Sequence, residues 1–266
     1  IDVVYSALKA GPIWQRTIIT KPKGAGPFPI VVYFQDYGCE SLDQPYPPYR
    51  PIRQFAHTLA ELGVAVMRIE KPGIGDSEGP PCTECGFETE RAAFDAAVPY
   101  AKSLPFVDAN EVHIFGHGTG GVSAALAAAK YDVASVIVFG TYCRPFKDHL
   151  HRNELRFAAV SGIPESKSEE TVALADKYFG MLLDEKKAPY EILFDCPELD
   201  AYVEVRDGDD STKIFGVDYR YWQELNAVNV DEVWSNVDDL VLALWGDADY
   251  ASGQEDHQRI ADIVNA

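Results

Sequence analysis

Residues 111–130 constrain this chain more than any other stretch: they read EVHIF, then GHGTGG, then VSAALAAAK. An apolar run, a glycine-dense turn and a small-residue helix together describe a buried strand that bends sharply into a closely packed helix. On both sides of this unit short apolar runs alternate with amphipathic segments, which predicts a mostly parallel sheet flanked by helices. The expected strands are Gln15 to Thr20, Ile30 to Gln35, Val64 to Ile69, Val112 to Phe115, Ser135 to Phe139 and Leu240 to Trp245. The last four are apolar enough for burial on both faces. Expected helices cover Arg53 to Leu62, Phe87 to Ser103, Gly121 to Lys130 and Asp256 to Val264.

From about Cys143 to Asp231 this rhythm breaks into two helical stretches, Lys147 to Val160 and Ser168 to Leu183, and an acidic, aromatic run ending in Tyr219, Tyr221 and Trp222. An inserted, mainly helical cap is the expectation: core residues 1–142, cap 143–230, and core again over 231–266. Such an insertion sits above the carboxyl ends of the strands, where open α/β sheets bind ligands. A packed subdomain without a substrate role is the competing reading.

The chain has 266 residues, 23 Lys plus Arg and 42 Asp plus Glu, hence a net charge of −19. That field repels phosphate backbones and no basic run overrides it, so a nucleic-acid partner is excluded. Its longest apolar runs fall far short of the roughly 20 residues a membrane span needs. Five scattered cysteines, an odd number, suggest reduced thiols and a cytoplasmic location. Cys82 and Cys85 form one Cys-x-x-Cys with no second pair for a zinc site, and read as loop thiols. The chain opens on Ile1 rather than Met, which leaves a cleaved signal peptide open.

Three chemistries use a strand–glycine turn–helix. A nucleophile elbow, Gly-x-Ser-x-Gly, places its central side chain at a strained turn; here Gly116 and Gly120 frame Gly118, which has no side chain to attack with. A dinucleotide fingerprint is met by Gly116, Gly118 and Gly121, but the acid that should follow the next strand is absent from Val138 to Tyr142. The third reading is a packed turn without function. Arg68 to Gly79 (RIEKPGIGDSEG) is no phosphate cradle, because Asp76 and Glu78 would repel a pyrophosphate. LWGDADY, residues 244–250, presents Asp247 and Asp249 at the end of a strand, where a carboxylate can orient a histidine.

Taken together, PFPIVVYFQDYGCES, RIEKPGIGDSEGPPC, GHGTGG and LWGDADY resemble the α/β-hydrolase superfamily, in particular its serine aminopeptidase, esterase and thioesterase-like members. The resemblance implies a Ser–His–Asp triad under a variable cap, acting on an ester, thioester or amide with neither cofactor nor metal. Its nucleophile maps onto Gly118, its acid onto Asp249, and its oxyanion donors onto the backbone N–H of Thr119 and of Asp36 or Tyr37. Three departures follow. Glycine replaces serine at 118. The histidine that should come one strand after the acid would lie past Ala266, so the C-terminal strand and histidine are expected to be missing; His257 is expected on the surface, and His149 and His151 are expected to be solvated. Asp36 brings a carboxylate to the oxyanion loop, and would oppose catalysis if it pointed inward. The expectation is therefore a serine hydrolase inactive in this form, or a natural relative that binds a small acyl substrate, another ligand or a partner. An unpaired sheet edge would favour self-association.

Overall fold

The computed structural model describes residues 1–43, 51–207, 210 and 212–266. A seven-stranded sheet runs through it in the order β1-β2-β4-β3-β5-β6-β9. β1 (Asp2–Ala10) and β2 (Ile13–Lys21) form an antiparallel hairpin, and β2 pairs antiparallel with β4 (Ala65–Ile69). From β4 onward pairing is parallel, through β3 (Phe28–Phe34), β5 (Val107–His117), β6 (Ser135–Phe139) and β9 (Leu240–Leu244). Parallel strands need covered faces, and side-chain alternation divides the cover. Ile30, Val32 and Phe34 of β3 enter the large core with α2 (Phe87–Ser103) and α3 (Gly120–Ala128), whereas Val31 packs with Ala56 of α1 (Pro51–Glu61).

The expected strands and helices are all present within a few residues. β1 was not foreseen: it is an edge strand with Val3 and Tyr5 exposed and only Leu8 and Ala10 fully buried. Strand β9 is covered on one face only, where Val241 and Ala243 are half-buried. Leu240, Leu242 and Leu244 are 75%, 51% and 40% exposed, and they align with Ser135, Ile137 and Phe139 of β6 on the face that α1 covers elsewhere. Among the described residues β9 pairs only with β6.

Between β6 and β9 lie α4 (Phe146–Val160), α5 (Glu165–Phe179), α6 (Pro189–Asp195), α7 (Asp200–Asp207), a two-residue hairpin of β7 (Lys213–Ile214) and β8 (Val217–Asp218), α8 (Tyr219–Asn226) and α9 (Val230–Ser235). Tyr178, Phe179, Leu182, Tyr221 and Trp222 from this segment join the same buried cluster as the sheet. α10 (Gln254–Val264) follows β9 and adds Ile260. No helix among the described residues is long and apolar enough to cross a membrane.

The cysteines require a correction. Cys39 and Cys82 form a disulfide with Cα atoms 5.8 Å apart, while Cys85, Cys143 and Cys196 are free. Cys82 is therefore a cross-link rather than a loop thiol, which removes the ground on which a cytoplasmic location was expected; such bonds persist in oxidising compartments. The bond ties the loop after β3 to the loop after β4. The denatured, unreduced chain should titrate three thiols with a disulfide reagent and five after reduction; five in both states would refute the cross-link.

Candidate active site

Strand β5 ends at His117, the chain turns at Gly118 with φ +57°, and Thr119 enters α3 with φ −63°. The turn is as tight as its glycines predict. A Cβ on Gly121 would lie 2.3 Å from Thr141 Oγ1, so α3 and the segment just after β6 approach too closely for a side chain there. Gly118 N–H continues the parallel ladder to Phe139 C=O at 3.1 Å, and Gly140 N–H does the same to Leu244 C=O. The elbow, Gly140 and the turn after β9 thus stand side by side at the carboxyl edge of the sheet.

At Gly118 the place of a nucleophile is filled. A Cβ built there would meet Asp36 Cγ and Oδ1 at 2.4 Å and Oδ2 at 2.6 Å. The carboxylate points inward, the orientation that opposes acyl transfer. Asp36 Oδ1 accepts from Thr119 N–H at 2.8 Å and from Thr119 Oγ1 at 2.9 Å. The expected oxyanion donor is therefore engaged by a resident anion at the N-terminus of α3, where the helix dipole favours negative charge.

Three contacts hold the Asp36 loop. Gln35 Nε2 donates to Ile69 C=O, Lys71 Nζ donates to Asp36 C=O at 2.7 Å, and the Cys39–Cys82 bond closes the loop three residues on. Lys71 also pairs with Glu90 at 2.5 Å, and both are almost fully buried. Tyr221 Oη donates to Glu90 Oε1 at 3.1 Å and lies 3.4 Å from Thr119 Oγ1. The result is a closed ring: Asp36 carboxylate, Thr119, Tyr221, Glu90, Lys71, and back to the Asp36 carbonyl. Burial pushes the Glu90 carboxyl upward while Lys71 and Tyr221 pull it down. Burial chiefly, then the Glu90 charge, raises the Tyr221 hydroxyl.

Lys71, Glu90 and Tyr221 were not among the expected site residues. One signal existed: Glu90 interrupts an apolar helical stripe between Phe87 and Phe94. Its partners could not be read, because Tyr221 is 131 positions away.

The remaining expected residues separate. Tyr37 turns its ring edge-on to Trp222, with centroids 4.9 Å apart. Asp249 stands beside Gly140, where a Cβ would be 3.3 Å from Oδ2, about two strand spacings from the elbow. Its carboxylate accepts from Ala251 N–H, Ser252 N–H and Ser252 Oγ, so it caps its own turn. No histidine bonds to it among the described residues. His257 is buried rather than on the surface, with Nδ1 on Gly253 C=O. His149 is also buried rather than solvated: it stacks on Tyr142 at 4.4 Å, and desolvation lowers its pKa to about 4. His151 is of intermediate exposure, its side chain 41% accessible, against Asp176. Among the described residues no group of three potential metal ligands occurs.

Comparison with known proteins agrees with the fold. Esterase EstD of Thermotoga maritima is 26% identical over 160 residues, covering 60% of this chain; the chain spans about a third (37%) of that relative's length. Est1E of Butyrivibrio proteoclasticus, solved with ferulic acid, superposes with TM-score 0.63 at 20% identity, covering 97% of this chain and 85% of Est1E. The α/β-hydrolase GrgF of Penicillium sp. sh18 gives 0.62 at 16%, covering 99% of this chain and 86% of GrgF. No family model matches the chain. The protein has the α/β-hydrolase fold, with a mostly parallel central sheet flanked by helices.

The overlap at the elbow has a thermodynamic consequence. Gly118→Ser should lower stability by about 2–4 kcal/mol, from the left-handed φ and the collision with Asp36. Asp36→Gly in the same chain should recover the collision part. Thermal or denaturant melts of the two single variants and the double variant test this, and additive effects would show that residues 36 and 118 do not share this space.

Proposed function

We propose that this chain is an esterase-type α/β-hydrolase that does not carry out acyl transfer in this form and retains the elbow as a small-molecule site beneath a cap formed by residues 143–230. The observation that carries the reading is the Asp36 carboxylate seated over Gly118. In an intact triad a hydroxyl at that point attacks a carbonyl, a histidine takes its proton, an acid orients the histidine, and backbone N–H groups hold the oxyanion. Here the attacking atom is missing, one oxyanion donor is engaged by Asp36, and the candidate acid Asp249 caps its own turn. Thr119 is no substitute: its hydroxyl faces Asp36 and Tyr221 from one position further along.

A purpose-built binding protein is the second reading, and the anchoring of the Asp36 loop by Lys71 and Cys39 supports it. The dinucleotide reading loses support from the same carboxylate, which occupies the helix N-terminus that a pyrophosphate would need.

The chain should hydrolyse 4-nitrophenyl acetate no faster than buffer and take no label from a fluorophosphonate probe. Labelling at Thr119, or turnover abolished by Thr119→Ala, would overturn the reading.

The leucine row on β9 also supports self-association. Light scattering should show a mass rising with concentration, and Leu242→Lys should suppress the rise. A concentration-independent monomer would count against it.

A further inference from the structure

In an acyl hydrolase the N-terminus of the helix after the elbow receives a negative charge that develops during reaction. In this chain a carboxylate of the protein itself, that of Asp36, stands there. Oδ1 of Asp36 takes both Thr119 donors. Oδ2 has no donor among the described residues and lies against the half-buried Gly118. Among the described residues no lysine or arginine side chain bonds to this carboxylate: Lys71 reaches only the Asp36 carbonyl and is itself paired with Glu90. The elbow therefore carries a carboxylate with one oxygen free of protein donors among the described residues, where the fold's usual chemistry requires a positive potential.

Two neighbouring groups are also unmatched. Tyr142 Oη and His149 Nδ1 are buried with no hydrogen-bond partner among the described residues, and each feels the charge of Asp36. Buried polar groups left without partners are uncommon and call for water, an ion or a ligand. His149 is neutral at pH 7 and so contributes no positive charge. Of the rings near the carboxylate only Tyr37, which follows Asp36 directly, is half-buried; it meets the buried Trp222 edge-on, while the buried Tyr142 packs on Phe146 and His149. Ring faces and a carboxylate are the environment that desolvated ammonium groups favour.

We propose that the elbow binds a small organic cation, with a primary ammonium group donating to Asp36 Oδ2 over Gly118 and its apolar part against Tyr37. This rests on the reading of the elbow as a small-molecule site. It names the chemistry of the ligand and reverses the charge preference of the ester-hydrolysing sites that the fold otherwise carries. Glycine at 118 has a role in it: any side chain there would occupy the space over the carboxylate.

Isothermal calorimetry with benzylamine and with benzoate, on the wild-type chain at matched pH and ionic strength, tests it. Benzylamine should bind at least tenfold more tightly than benzoate. Asp36→Asn, which keeps the size and can still accept from Thr119, should weaken benzylamine at least tenfold. Glu169→Gln removes one exposed charge on α5 and should change nothing, which separates the site from the net charge of −19. Benzoate binding as tightly as benzylamine, no benzylamine binding, or equal losses in Asp36→Asn and Glu169→Gln would each overturn the proposal. Hydrolysis of 4-nitrophenyl acetate alongside Asp36-dependent benzylamine binding would sink the inactivity reading and leave this one standing. No hydrolysis and no benzylamine binding would sink this one alone.

Discussion

The contact between the Asp36 carboxylate and the Thr119 N–H decides what the elbow of this protein can be. A hydrogen bond from an amide to a charged carboxylate contributes about 1.5–3 kcal/mol, and the N-terminus of α3 adds to it through its dipole. An acyl hydrolase holds that same donor in reserve for an oxyanion, and losing one such donor costs about 3 kcal/mol of transition-state stabilisation. A stable resident anion and a catalytic oxyanion cannot share one N–H. The missing hydroxyl at Gly118 and the engaged donor at Thr119 are thus two separate obstacles to acyl transfer.

The carboxylate stays in place because charges deeper in the molecule are balanced around it. Burying Lys71 and Glu90 would be expensive for either alone, and pairing at 2.5 Å offsets this only with their remaining bonds satisfied. Tyr221 satisfies Glu90, and the Asp36 carbonyl satisfies Lys71. Since Tyr221 belongs to α8, the helical segment after β6 is joined to the elbow through a polar ring as well as through the apolar cluster of Trp222 and Phe146. A displacement of α8 would leave Glu90 and Thr119 short of a partner together.

Much of the fold was legible because strands β3 to β6 and helices α1 to α3 declare themselves by local period. The glycine turn was legible for the same reason: strain and close approach are properties of a few adjacent residues. Properties that depend on distant partners were not. Whether Leu240, Leu242 and Leu244 are covered depends on what lies across the sheet face. Whether Cys82 is a thiol or a cross-link depends on Cys39, 43 positions earlier. At the site, Gly118 and Thr119 could be placed from the motif, and Asp36 could be named as a hazard, but its direction needed the loop anchors. Asp249 was chosen by position in a motif, and its bonds to Ser252 and Ala251 show how a carboxylate can keep that position while serving only its own turn.

Glycine at 118 alone would be compatible with an enzyme disabled at one atom, since removing a side chain leaves room that the rest of the pocket need not use. Here the room is used. A serine Cβ would stand 2.4 Å from the Asp36 carboxylate, so restoring the hydroxyl without moving residue 36 produces a collision rather than a nucleophile. Two changes, at 36 and 118, separate this pocket from one that could hold a serine, and either alone leaves the Thr119 N–H without an oxyanion to serve. That coupling is the physical argument for treating the glycine and the carboxylate as one device, and for expecting the pocket to select its ligand by the sign of its charge.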